Sequence, residues 1–141
     1  MNRDYDLERF LEAQSFSYAH ALREIQRGRK QTHWMWYIFP QLRGLGRSYN
    51  SQYYGIADIN EARAYLEHPV LGARLRELCE ILLGLEQNDP YAVMGSPDDI
   101  KLRSSMTLFA HVAEDNAVFL AVLDKFFGGK QDGYTLRILN K

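Results

Sequence analysis

Ser96-Pro97-Asp98-Asp99-Ile100-Lys101-Leu102-Arg103-Ser104-Ser105-Met106-Thr107-Leu108-Phe109-Ala110-His111-Val112 reads as a helix along its whole length. Ser96 stands where an N-cap is wanted, Pro97 suits the first helical position, and Asp98 and Asp99 put negative charge at the positive helix end. At about 100° per residue, Leu102, Met106, Phe109 and Ala113 fall on one face. Two polar side chains lie on that largely apolar arc: Lys101 between Leu108 and Val112, and Ser105 between Phe109 and Val112. A buried ammonium or hydroxyl costs free energy unless it is paired, so both need a partner, with Ser104 beside them on the polar edge. Lys101 can also extend past the helix end, and Ser105 can bond back to the carbonyl one turn earlier.

The same punctuation recurs on both sides of this segment. Leu7, Phe10, Leu11 and Gln14, continued by Tyr18, Leu22 and Ile25, keep helical spacing until Gly28, a helix stop. Asn60 has the chemistry of an N-cap, with Glu61 in the first turn of a helix running to His68 before Pro69. Val70, Leu71, Leu75, Leu78, Ile81 and Leu82 predict an amphipathic helix ending near Gly84. Asp89-Pro90 opens a short helical turn closed by Gly95. After the quoted segment, Asp115 can cap a helix with Val118, Phe119, Val122, Leu123 and Phe126 inside and Gly128-Gly129 as its end. Leu136, Ile138 and Leu139 form a short terminal element of open type. Only Tyr53–Ile59 and the last residues could pair as strands, and neither alternates for long. The fold class is therefore all-α: a single helical domain over residues 1–141, with helix pairs packed around one core and no linker or repeat to divide it.

Composition narrows the function classes. The chain has 141 residues, 46% of them hydrophobic and 25% charged, enough to bury a core without disulfides or metal. Its formal net charge of −1 gives no global attraction to nucleic acid or anionic membrane. No apolar run approaches the ~20 residues of a spanning helix, and the polar, acidic start is the reverse of a signal peptide. With Cys79 the only cysteine, no internal disulfide can form, and the cytoplasm is the expected compartment.

The second informative segment is Arg29-Lys30-Gln31-Thr32-His33-Trp34-Met35-Trp36-Tyr37-Ile38-Phe39-Pro40-Gln41. If Thr32 caps a helix running to Phe39, free amides and the cations Arg29, Lys30 and His33 gather at one helix start. Cations there are unfavourable alone and suit a phosphate or carboxylate held among them. Trp34, Trp36 and Tyr37 could offer a ring face. A helix apolar all round is equally the signature of a buried central helix, and Arg29 and Lys30 could be ion partners of Asp98 or Glu24. The stretch Gly44 to Gly55, carrying Tyr49, Tyr53 and Tyr54, is expected to be a packed loop. His20, His33, His68 and His111 lack metal-ligand spacing, and His111 and Cys79 read as a surface histidine and an inert thiol. A Lys101–Ser105 catalytic pair is conceivable, but no oxyanion-hole motif accompanies it.

These residues carry a resemblance. His33–Leu42 followed by Gly44-Leu45-Gly46 and Ser48, and Pro97–Phe109, resemble the two hallmark blocks of the domain-of-unknown-function family 1810. Phe10 with Ala13-Gln14, Gly28-Arg29-Lys30, and Tyr65-Leu66 with His68-Pro69 fit the same pattern. The resemblance spans nearly the whole chain and implies a bacterial, single-domain helical protein with no established activity and no cofactor or catalytic residues to carry over. Some relatives bear the label "calpastatin", yet calpain inhibitors are long disordered chains, unlike this compact one.

The expectation that follows is a small anionic or nucleotide-like ligand, with or without a reaction, bound between the two blocks. Arg29, Lys30 and Lys101 would neutralise it, His33, Gln41, Ser104 and Ser105 would hydrogen-bond it, and Trp34 or Trp36 would wall the pocket. The rival expectation is a protein-interaction or self-associating domain, the latter a homo-oligomer, using the Tyr49–Tyr54 loop. Nucleic-acid binding along Arg23, Arg27, Arg29 and Lys30 ranks third, and a membrane role is not expected.

Overall fold

Helix is the only extended regular structure among residues 5–140, the part of the chain described by this computed structural model. In chain order the helices are α1 Glu8–Gln26, α2 Met35–Ile38, α3 Tyr49–Tyr53, α4 Ile59–Glu67, α5 Leu71–Gly84, α6 Pro90–Met94, α7 Asp98–Val112, α8 Ala117–Phe127 and α9 Gly133–Leu139. The all-α reading holds. None of these helices is long and apolar enough to cross a membrane.

The centre of the packing is α7, which meets α4, α6, α8 and α9, while α1 lies against α2 and α5. Leu102, Met106 and Phe109 are fully buried, as their spacing predicts. The burial goes further, taking in every residue from Ser104 to Ala110, so α7 is enclosed nearly all round rather than on one face. Two of its polar groups are satisfied within the helix: Ser104 Oγ donates to the Ile100 carbonyl (3.3 Å) and Thr107 Oγ1 to that of Arg103 (2.8 Å). Ala113 lies just past the helix as its C-cap, partly buried.

Helix ends follow local chemistry, with some shifts. At Gly28 the backbone turns left-handed (φ 79°), and the Gly28 and Arg29 amides close α1 on the Ile25 and Glu24 carbonyls. Gly128 ends α8 in the same way. The cap of α4 is Asp58 and not Asn60: its carboxylate accepts the Glu61 N–H at 2.9 Å, a bond the exposed Asn60 cannot make from inside the first turn. Pro97, not Ser96, precedes α7, and Asn116, not Asp115, precedes α8.

Two larger departures concern the aromatic block. The helix expected from Thr32 to Phe39 is a single turn, Met35–Ile38, because residues 31–34 are drawn away toward α1 and Phe39 turns extended ahead of Pro40. The expected loop of Tyr49 to Tyr54 contains α3, capped by Ser48 Oγ accepting from the Ser51 N–H at 3.1 Å. A parallel bridge between Leu42 and Ile56 pinches the two ends of this excursion together.

Candidate functional site

The anion that the sequence calls for beside Gln31 and Thr32 is supplied by the protein itself. Glu24, on α1 and 6% exposed, points its carboxylate into the segment before α2. Its Oε1 accepts from the amides of Gln31 (2.8 Å) and Thr32 (3.0 Å) and from Trp34 Nε1 (2.9 Å). Its Oε2 accepts from Thr32 Oγ1 at 2.6 Å. Burial alone would raise the pKa of this acid, but the four donors outweigh it and hold the group down at about 2. Thr32 therefore caps nothing, and the amides expected to be free for a ligand are occupied.

Lys30 joins the two sequence blocks. Its Nζ lies 2.8 Å from Asp98 Oδ2 at the start of α7, donates to the Thr32 carbonyl at 2.5 Å, and sits 4.8 Å from the Trp34 ring centre. The Lys30 amide donates to the Val93 carbonyl of α6 at 2.7 Å. With a side chain only 6% exposed, this lysine is a clasp whose charge is already answered.

Lys101 is held differently. Its Nζ stands 3.7 Å from Asp98 Oδ1, beyond hydrogen-bond length, and 5.0 Å from the Trp36 ring centre, with the side chain 22% exposed. Two ammonium groups thus share one carboxylate, leaving one positive charge in excess, and Lys101 is the looser partner. It opens on a cleft of about 330 Å³ lined by Lys30, Gln31, His33, Trp36, Met94, Ser96, Pro97, Asp98 and Lys101. Trp36 and Lys101 also line an adjoining chamber of about 10 Å³ edged by Gln41, Asn50, Ser51, Tyr54 and Gly55. The first-turn amides of α7 are not available to a ligand, since those of Asp99, Ile100 and Lys101 meet Gly95, Pro97 and the Asp99 carboxylate.

Of the residues singled out from sequence, Lys30, His33, Trp36 and Lys101 converge on the cleft, and Gln41 lines the chamber beside it. The others do not reach it. Trp34 is fully buried against Glu24, Ser104 is turned to the Ile100 carbonyl, and Ser105 is fully buried with no hydrogen-bond partner for its hydroxyl among the described residues. No hydrogen bond joins Lys101 to Ser105 among the described residues, so the pair lacks the contact a serine nucleophile needs from its base. Arg29 is exposed in a neighbouring depression of about 390 Å³ beside Tyr91. Sequence reasoning overlooked Asn50 and Ser51, which sat in an unremarkable polar stretch, while Asp98, offered there as an ion partner of Arg29 or Lys30, does pair with Lys30. Among the described residues no three His, Cys, Asp or Glu gather as a metal site.

The chain belongs to the family described as "Protein of unknown function (DUF1810)", which it matches over residues 4–139. It is also similar to a crystal structure of the conserved hypothetical protein Rv1873 from Mycobacterium tuberculosis. The two are 44% identical over 99% of each chain, with a TM-score of 0.96. No curated protein matches the chain.

Proposed function

We propose that this protein binds a small anionic ligand in the cleft between the Trp36 turn and the start of α7, with the Lys101 ammonium as the principal cation. The observation that carries this reading is the unequal division of Asp98. Lys30 takes it at 2.8 Å and is buried, whereas Lys101 stands at 3.7 Å, partly exposed and facing a cleft of about 330 Å³. That volume is at the lower end of small-molecule sites. His33 and Ser96, both exposed on the same cleft, can add directional hydrogen bonds. Lys101 lies over the Trp36 ring, so the indole face is shared with a cation, which favours a compact phosphate or carboxylate over a stacked nucleobase. One buried, unpaired cysteine goes with a reducing compartment, and the cytoplasm is the location that accompanies this reading.

The test is a thermal-shift screen of phosphate monoesters and small carboxylates, followed by calorimetry on the hits, because a ligand bound only by the native state raises the melting temperature. Lys101→Ala should weaken binding about tenfold or more, as loss of a charge-assisted contact does, with the helical spectrum unchanged. Undiminished binding by a folded Lys101→Ala protein overturns the reading.

A second reading, self-association or partner docking through α3, is favoured by one observation. Tyr49 and Tyr53 are 75% and 39% exposed and stack on each other with ring centres 5.6 Å apart. Sedimentation of the wild type and of Tyr49→Ser tests it: a monomer at every concentration removes the self-associating form.

A further inference from the structure

Lys30 is a partition between two open spaces. Its ammonium is tied to Asp98, which lines the cleft, and its amide to the carbonyl of Val93, which lines the neighbouring depression of about 390 Å³. The two spaces therefore adjoin along one residue. The depression is lined by Arg29, Lys30, Tyr91, Ala92, Val93 and Gly95, two cations and no acid. Lys30 already has its carboxylate. Arg29 has none: it is exposed, and its guanidinium makes no hydrogen bond or ion pair among the described residues. Tyr91 is 61% exposed, and its hydroxyl has no partner among the described residues either. Gly95, left-handed at φ 77°, adds no side chain to this wall. Across both spaces Arg29, Lys30 and Lys101 stand against the single carboxylate of Asp98, on a chain whose net charge is −1. The positive excess is thus local, and it is divided between the two sides of Lys30. A compact monoanion at Lys101 answers only one side. The planar fork of an arginine takes a carboxylate or phosphate through two parallel N–H groups, and a phenol can donate to the same anion.

Resting on the anion reading above, we propose that Arg29 and Tyr91 form a second anionic subsite across Lys30 from the cleft. The ligand class is then an extended bis-anion, two phosphates or carboxylates joined by a short chain. One end sits at Lys101 and the other at Arg29, with the connecting chain passing Lys30. An exposed arginine is worth little to a lone anion, but linking the two ends makes the second contact intramolecular and lets it add to affinity.

Matched pairs that differ by one terminal anion test this by calorimetry on the full chain: glutarate against valerate, adipate against hexanoate, and butane-1,4-diol bisphosphate against butyl phosphate. Ionic strength is held at about 0.15 M, where charges more than about 8 Å apart are largely screened. In at least one pair the doubly anionic member should bind about fivefold tighter or more. Arg29→Gln should erase that advantage and leave the monoanion bound as before, with the helical spectrum unchanged. Arg63→Gln removes the same charge from α4, at a residue lining neither space, and should keep the advantage. Lys101→Ala should weaken both members of the pair. Equal binding within all three pairs overturns the second subsite and leaves the anion reading standing. So does an advantage that survives Arg29→Gln, or one lost equally in Arg63→Gln. Binding of none of the six compounds, or undiminished binding of both members by Lys101→Ala, overturns both proposals.

Discussion

Glu24, on α1, accepts four hydrogen bonds from the segment that leads into the first block, and its removal has a calculable direction. Its carboxyl sits at about 2 in the folded chain against 4.5 in the unfolded one. The stabilisation is therefore complete above about pH 4.5 and is lost as pH falls toward 2. The difference corresponds to about 3 kcal/mol. Glu24→Gln keeps the size but presents an NH₂ to donors that need an acceptor. It should cost about 2–3 kcal/mol in urea denaturation at pH 7 and flatten the acid limb of the stability profile. The two lysines should separate just as clearly. Lys30→Ala leaves Asp98 short of its close partner and strips a cation from Trp34, for a loss of about 2 kcal/mol. Lys101→Ala, loosely paired and partly exposed, should change stability by about 0.5 kcal/mol or less. Equal losses in the two variants would contradict the division of labour between clasp and free cation.

At the scale of single elements, the α4–α5 junction is the tightest approach. A Cβ on Gly72 would stand 1.9 Å from the Leu66 carbonyl oxygen, a backbone atom with no rotamer to move aside. Gly72→Ala should therefore cost about 3 kcal/mol or more by thermal denaturation. Asp58→Ala, which removes the α4 cap, should cost about 1 kcal/mol. Elements were legible in proportion to their length. The apolar rows of α1, α5, α7 and α8 repeat over several turns, and glycine marks where α1 and α8 end, so these helices sit where periodicity puts them. Single-turn helices such as α2 and α3 lack that redundancy. Whether Thr32 caps a helix or bonds sideways depends on Glu24, eight residues back on another element, and no local pattern carries that information.

Over the whole molecule, one core encloses both informative blocks, and it closes off the lone cysteine. Cys79 is fully buried, its Sγ 3.7 Å from Met106 Sδ, and burial pushes its thiol far above the ordinary range. The native protein should not react with a thiol reagent at pH 8, and labelling should track global unfolding in denaturant; rapid native labelling would contradict this packing. The site was readable to the extent that each block is distinctive, since Lys30, His33, Trp36 and Lys101 stand out by chemistry alone. The pairing of Lys30 with Asp98 was among the ion partners the sequence offered, whereas the inward turn of Trp34 and Ser105 and the place of Asn50 and Ser51 in the chamber follow from the three-dimensional closure of the chain.

The bridge between Leu42 and Ile56 gives that closure a further meaning. The Ile56 amide donates to the Gln41 carbonyl at 2.9 Å and the Arg43 amide to the Ile56 carbonyl at 2.8 Å, so the segment between them leaves and rejoins the core at one point. Gly55 secures the neck, where a Cβ would stand 2.7 Å from the Ser51 carbonyl and 2.8 Å from the Arg43 Cα. The chamber therefore has two walls of different mechanical character. Trp36 and Lys101 stand on α2 and α7, whose other side chains fill the core, while Asn50 and Ser51 ride on a peninsula whose lengthening costs little, about 0.6 kcal/mol per doubling. Insertions there would reshape the chamber's edge and leave the helices of the core where they stand.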